Sequence, residues 1–466
     1  MENKNVTQQL YEALAEVTKN LEKAASSQNA TPLHGQGGLF SGQGIDRNVI
    51  TAMVRPYGIG AALPLVPSVY ENPVYSTITG IMEDDPTDRP SEPCEDATAG
   101  YLKGCELTAA FGLIRKDTRT IDIYKTQLLK NRGDMTDLIL RGRMLGMNNM
   151  TPSGLENEGD VLTVLTKSEM INAAVRAERT LSQDLWQGTG TAPQFRGLDY
   201  LITTGIVDWR TNSACPALNS DIKDFDYADV SGETKDIVEY VSMLEFYLRH
   251  NSVTMGLDPA SWVVVMRPEL WFELSAVWPC RYLTNRCGST DAATSVINDN
   301  VNVSMRDAMR NGMYIDVNGN RYPVIADTGI YEQHSGNDEK LGASEYASSI
   351  YFVPLTINGN FPVAYREYLD YRAADSNRRL LRGTEPFWTD DGIYGWAITD
   401  EHGWCYQLHL RTEQRIILRT PQLAGKIQNV KYSPLQHLRS PYQTDTYFAD
   451  GGVSLRSSDT IYWASR

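Results

Sequence analysis

The chain has 466 residues, enough by domain-size scaling for about three compact units or one large mixed domain with appendages. Apolar residues make up 41% and charged residues 22%, a globular composition that excludes collagen, coiled coil and a disordered chain. A net charge of −15 argues against a dedicated nucleic-acid binder, which must neutralise phosphates, and no apolar run is long enough to span a membrane.

The opening residues, MENKNVTQQL, lack the basic-then-apolar order of a secretory signal. Residues 5–25 carry Val6, Leu10, Leu14, Val17 and Leu21 at spacings of three and four, the stripe of an amphipathic helix. That stripe either packs on its own domain or makes a seam for a partner chain. The glycine-rich segment 35–44 that follows suits a tether reaching a neighbour. Pro64, Pro67 and Pro73 then exclude helix over 61–73 and predict an extended arm. Val74–Met82 alternates as a half-buried strand, and 105–114 and 119–124 resume strand character. Between them, 83–96 holds seven acids (Glu83, Asp84, Asp85, Asp88, Glu92, Glu95, Asp96) against Arg89 alone. The pattern is a long hairpin with an acidic tip, projecting about 30 Å at ~3.3 Å per residue.

Thr166-Lys167-Ser168-Glu169 has capping-box spacing, and Ile171, Ala174, Val175, Leu181 and Leu185 form an apolar face behind it. A helix over 166–187, roughly 31 Å long, is expected to stop at Gly188 and Gly190, with Pro193 preventing its resumption. A second helix is predicted over 236–249, a buried strand over Ser261–Met266, and a helix from Pro268 through Val277. Asn318-Gly319 between YIDV and NRYPVI predicts a type I′ hairpin. The remainder to about residue 432 reads as strand and turn.

The chemistry-bearing clusters are each weighed against a structural reading. Gly188-Thr189-Gly190 follows a helix instead of a strand, so it is not a phosphate-cradling loop. His402, Cys405 and His409 form the one close metal-type group. Strand alternation puts His402 on the opposite face from the other two, which favours a turn and half-buried strand over a zinc site. Six cysteines (Cys94, Cys105, Cys215, Cys280, Cys287, Cys405) form no C-x-x-C pair, so free thiols in a reducing compartment are expected, Cys94 and Cys105 at the hairpin tip included. No catalytic, cofactor-binding or metal residue is assigned. The candidate contacts between copies are Glu83, Asp84, Asp85, Asp88 and Glu92, facing Arg378, Arg379 and Arg382. Arg372 belongs with these arginines, and a second basic group comprises Arg411, Arg415, Arg419, Lys426, Lys431 and Arg439.

The order arm, hairpin, long helix, glycine turn and α/β platform resembles the tailed-bacteriophage major capsid proteins of the Hong Kong 97-like fold. EMINAAVRAERTLSQDLWQGTGTAPQFRGLDYL (169–201) resembles that family's spine helix and following turn, SWVVVMRPELWFEL (261–274) its central strand and Pro-started helix, and VNGNRYPVIAD (317–327) its platform hairpin. RTPQLAGKIQNVKYSPLQHLRSP (419–441) resembles its closing segment. The resemblance implies an α+β fold with an N-terminal arm (1–75), an extended loop (76–124), a peripheral domain with the spine helix (125–200), an axial domain (201–384), peripheral strands (385–420), and an axial closing segment with C-terminal tail (421–466). It implies hexamers and pentamers of the chain, with portal, scaffolding and decoration proteins as further partners, in an icosahedral shell around double-stranded DNA, assembled in the bacterial cytoplasm without a cofactor. Lys103 matches no position of the family's isopeptide cross-link.

Two other readings compete: an encapsulin-type compartment of the same fold with an enzyme cargo, and an acidic multidomain hydrolase using the 83–96 carboxylates. The capsid reading expects the first third of the chain to be completed by other copies and not by its own unit. It also expects removal of 84–103 to leave folding intact and to impair assembly.

Overall fold

The computed structural model describes residues 58–68, 71, 74–81, 101–122, 158–230, 235–284, 304–334, 338–342, 345–370, 387–388, 392–401 and 405–432. The amphipathic segment 5–25, the glycine-rich 35–44, the acidic 83–96 and the arginines at 372–382 lie outside them. In chain order the elements are α1 (Ile59–Ala62), β1 (Leu65–Ser68), β2 (Val74–Ile81), β3 (Tyr101–Thr108), β4 (Gly112–Asp117), β5 (Ile121–Asp122), α2 (Glu158–Gln187) and α3 (Leu198–Leu201). Then come β6 (Asp221–Asp224), α4 (Ile237–Thr254), β7 (Ser261–Met266), α5 (Pro268–Thr284) and α6 (304–312). The rest is strand: β8 (Tyr314–Val317), β9 (Asn320–Ala326), β10 (Gln333–His334), β11 (Tyr346–Ile357), β12 (Phe361–Pro362) and β13 (Ala364–Leu369), followed by β14 (Phe387–Trp388), β15 (Gly395–Glu401), β16 (Cys405–Leu418) and β17 (Gly425–Tyr432). The class is α+β, divided into two units.

Among the described residues, the first unit comprises 115–122, 158–178, 387–388, 392–401 and 405–412. Here β15 runs antiparallel to the first half of β16, from Gly395 opposite Arg411 to Glu401 opposite Cys405, with β14 beyond β15. On the other edge β5 places Ile121 opposite Tyr406. Thr118 fastens this edge, since its hydroxyl oxygen accepts from the Leu408 amide at 3.0 Å and its carbonyl from Gln407 Nε2 at 2.8 Å. Met170, Ala173, Ala174 and Ala177 on α2 are buried at helical spacing, and the Tyr394 hydroxyl donates to Glu178.

The second unit is built on an eight-stranded sheet in the order β6-β17-β11-β7-β9-β8, with β10 and β12 pairing with β11. β7 and β9 are parallel, so the chain between them must cross over a face, which α5 and α6 do. The near-continuous apolar run Trp262–Met266 is buried along its length, as befits a strand covered on both faces. Val241, Leu244 and Leu248 of α4 and Leu270, Leu274 and Trp278 of α5 join Val264, Ile350, Phe352 and Ile427 in one core. In the same unit β13 lies antiparallel to the second half of β16, and β1 runs parallel to β13 from Leu65 opposite Arg366.

Most expected elements are present, with instructive differences. The turn at Asn318 and Gly319 has φ of 48° and 81° and closes Val317 against Asn320, the hairpin its turn residues dictate. α2 is 30 residues long and begins at Glu158, so Thr166 lies in its interior and not at its start. Val161, Leu162 and Leu165 continue the apolar spacing backward, and that longer period overrides a four-residue local signal. α5 likewise continues to Thr284, with Pro279 inside it. The short helical turn α1 ends at Ala62, before Pro64, and strand β1 follows over Leu65–Ser68.

Candidate functional site

The two-stranded hairpin of β2 and β3 is a sheet of its own, with Val74 opposite Thr108 and Ile81 opposite Tyr101. A two-stranded ribbon is marginal alone, and this one is fastened along its length to the second unit. The Ile78 amide donates to the Arg419 carbonyl at 2.8 Å, Gln422 Nε2 to the Ile78 carbonyl at 2.7 Å, and Arg419 Nη1 to the Ser76 carbonyl at 3.3 Å. Tyr75 and Leu107 pack with Ala109, Ile206, Leu218, Tyr365 and Ile417, while Ile78 packs with Leu257, Ile357, Val363 and Leu423. The described strands are therefore the hairpin's root and do not project. Only 82–100 remain to form a tip, outside the described residues. The expectation that the first third is completed by other copies fails for 58–68, 74–80 and 104–114, because apolar residues there find partners in their own unit.

A turn at 206–215 grips β3 from its outer edge. The Trp209 amide donates to the Glu106 carbonyl at 2.8 Å, and the Glu106 amide to Asp208 Oδ1 at 2.9 Å. Asp208 also accepts the Thr211 hydroxyl at 2.6 Å and the Thr211 amide at 3.3 Å. The Thr211 hydroxyl, then the amides of Glu106, Arg210 and Thr211, hold the Asp208 carboxyl below the ordinary carboxylate range. Next to this grip Cys105 and Cys215 are joined by a disulfide, with Cα atoms 6.5 Å apart. That corrects the expectation of free thiols for this pair: spacing along the chain says nothing about residues 110 apart that the fold brings together. Cys405 is a free thiol, and Cys94 lies outside the described residues.

A second junction gathers around Asp327, 1% exposed at the end of β9. Its Oδ2 accepts from the Ile59 amide at 2.8 Å and Trp186 Nε1 at 2.9 Å. Its Oδ1 accepts from the Gly329 amide at 2.8 Å and the Ser182 hydroxyl at 3.3 Å. One carboxylate thus ties α1, the end of α2 and β9 together. Gly58, at φ 61°, passes so close that an added Cβ would stand 2.1 Å from Asp327 Oδ2. α2 stops where expected: a Cβ on Gly188 would meet the Phe195 carbonyl oxygen at 2.2 Å, and Gly190 has φ 78°.

The acidic candidates Glu83, Asp84, Asp85, Asp88 and Glu92 and the basic candidates Arg378, Arg379 and Arg382 all lie outside the described residues. Three members of the second basic group are corrected, while Arg411 is exposed and Arg439 lies outside the described residues. Arg415 is buried against Glu367 at 2.5 Å and donates to the Ala109 carbonyl at 2.8 Å. Lys426 pairs with Asp199 at 2.8 Å and Lys431 with Glu345 at 2.9 Å. These cations complete their own unit and offer no open basic surface. His409 Nδ1 lies 2.6 Å from Asp117, while Cys405, four residues back along one strand, is ~13 Å away at strand rise. Partial burial pushes the Asp117 carboxyl up, but hydrogen bonds from His409 and Arg115 outweigh it and the net shift is downward. Among the described residues no three of His, Cys, Asp and Glu gather to hold a metal ion, and no helix is long and apolar enough to cross a membrane.

One surface was not foreseen. α4 exposes Met243, Phe246, Tyr247 and Val253 at helical spacing, Phe246 by 62% and Val253 by 60%, and Phe246 stacks on His250. The signal was present in the sequence as a second apolar stripe on a helix whose first stripe already faces the core.

No family model and no curated protein matches the chain. Solved structures that match include the capsid of Ralstonia phage GP4, at TM-score 0.37 and 10% identity, covering 80% of this chain and 90% of that one. The satellite phage P4 procapsid matches at TM-score 0.35 and 8% identity, covering 89% and 98%. An encapsulin complex from Synechococcus elongatus matches at TM-score 0.35 and 9% identity, covering 79% and 85%. The matches include phage capsids, the class that the sequence resembles.

Proposed function

We propose that the chain is the major capsid protein of a tailed phage, a structural subunit without catalytic activity. The observation that carries this reading is the order of its elements. A hairpin belonging to no larger sheet is fastened by its described strands, a 30-residue helix ends in a glycine turn, and an eight-stranded platform follows. An enzyme needs converging reactive groups. The polar contacts described at the hairpin instead fasten a two-stranded ribbon whose connecting segment carries seven acids, which suits a subunit that must reach others of its kind. The exposed stripe on α4 supports the same reading, since a contiguous apolar surface marks an interaction face.

In this proposal many copies form hexamers and pentamers of an icosahedral shell around double-stranded DNA, assembled in the bacterial cytoplasm and found in the virion. Residues 1–75 act as the arm, 76–124 as the extended loop, 125–200 and 385–420 as the peripheral domain, and 201–384 and 421–466 as the axial domain and tail. Portal, scaffolding and decoration proteins are its further partners. Glu83, Asp84, Asp85, Asp88 and Glu92 of one copy meet Arg378, Arg379 and Arg382 of another, and the −15 charge keeps the inner surface from adhering to the packaged DNA.

Expression of the full chain, followed by size-exclusion chromatography with light scattering and negative-stain electron microscopy, tests the proposal. Capsomers or closed megadalton shells are expected. A stable 52.1 kDa monomer under all conditions would overturn it. Particles purified from the phage-producing host should contain nuclease-protected DNA; particles filled instead with a cargo enzyme would establish the encapsulin reading.

A further inference from the structure

We propose that Cys105 and Cys215 form a redox-operated lock on the hairpin root, closed after folding by exchange with a small-molecule disulfide such as oxidised glutathione. The bond joins β3 to the 206–215 turn at a place already secured without it. The Cys215 amide donates to the Ile206 carbonyl at 2.8 Å, Trp209 and Asp208 hold both backbone groups of Glu106, and Arg419 and Gln422 hold β2. In the dithiol state the Cys215 S–H has an acceptor of its own, the Ser213 carbonyl 3.7 Å from Sγ. The chain therefore folds to the same root whether the pair is reduced or oxidised. Oxidation changes only whether β3 can peel away from the turn.

The two sulfurs differ in access, which sets the order of events. Cys215 is 4% exposed, whereas Cys105 is half-buried at the margin of the Tyr75–Leu107–Ile417 cluster. The Cys105 thiolate attacks one sulfur of glutathione disulfide, forming a mixed disulfide and releasing one glutathione thiolate. The Cys215 thiolate then attacks the Cys105 sulfur, forming the protein disulfide and releasing the second glutathione. Two protein thiols lose two electrons, one glutathione disulfide gains them, and the two protons end on the two glutathione thiols. The lock is a property of the single chain, so it stands or falls apart from the shell reading.

The full chain, purified with reductant and then incubated across ratios of oxidised to reduced glutathione, tests this. Peptide mapping should find Cys105 linked to Cys215, and amide hydrogen exchange over 101–108 should slow at least tenfold on oxidation. The Cys215→Ser variant should stop at a glutathione adduct on Cys105, and Cys105→Ser should leave Cys215 unmodified. Absence of the linked peptide at every ratio, equal exchange in the two states of the unmutated chain, or an adduct on Cys215 in preference to Cys105 would each overturn the proposal. The comparison of oxidised and reduced wild-type chain requires no variant to fold.

Discussion

Asp327 has each oxygen committed twice, to donors from three separate elements, and no cation is among them. An asparagine there keeps one acceptor oxygen and turns an NH2 group toward two of the donors. With that group toward Ser182, the hydroxyl can reverse and accept, which leaves the Gly329 amide as the orphan. A buried unsatisfied donor costs about 1–3 kcal/mol, so Asp327→Asn is expected to lower the unfolding free energy by about 2 kcal/mol in urea titrations. An unchanged midpoint would mean the junction does not form. Asp208 makes a prediction of the opposite kind, in pH. Its folded-state carboxyl titrates below its ordinary value of 3.8, so the stability it contributes is complete above that value and is lost as pH falls through the folded one. Asp338, held down first by the Tyr227 hydroxyl, and Glu345, held down first by the Gly342 amide, add to the loss with the same sign. Urea midpoints should be flat from neutral pH to about pH 5 and fall below about pH 4, and Asp208→Asn should flatten that fall.

At the scale of elements, the β8–β9 hairpin does more than reverse the chain. Asn318 Nδ2 donates to the Ser242 carbonyl at 2.9 Å and to Glu245 Oε2 at 2.7 Å, while Asn320 and Tyr322 donate to Glu245 Oε1. The turn thus docks on α4 through one buried carboxylate. Asn318→Gly keeps the left-handed backbone but removes both bonds, so it should cost about 1.5–3 kcal/mol, the value of a hydrogen bond to a charged group. Gly319→Ala, at φ 81° with open space around it, should cost only about 1 kcal/mol of backbone strain. Denaturant unfolding that ranks the two the other way would contradict the docking. This hairpin illustrates what was legible beforehand. Asn-Gly acts locally and was readable, as were β7, α4 and the end of α2, whereas the role of Asn318 on α4 depends on residues 73 and 76 positions away. Arg415, Lys426 and Lys431 were misread as a surface for the same reason: Lys426 meets Asp199 across 227 residues, and nothing in the local pattern separates a paired cation from an open one. The grip on the hairpin root was hidden likewise, although Asp208 with Thr211 three residues on is a turn signal that local reading could have flagged.

For the whole molecule, what the hairpin's extension does is separable from what its root does. The ladder ends with Ile81 directly opposite Tyr101, so the earlier cut at 84–103 would remove paired residues along with the tip. A cleaner variant replaces 82–100 with Asn-Gly, a two-residue connection whose twist suits paired strands. It retains the described contacts of β2 and β3 with the second unit. Unfolding free energy should therefore stay within about 0.5 kcal/mol of the parent chain. Assembly should not survive equally well, because the replaced segment carries the seven acids of 83–96. Charges at an association surface act chiefly on encounter, so time-resolved light scattering should find shell formation slowed about tenfold or more at low ionic strength. That difference should shrink as added salt shortens the Debye length to about 3 Å near 1 M. A steric role for the loop would leave the defect independent of salt, and normal assembly at every ionic strength would remove the acidic tip from the contacts between copies.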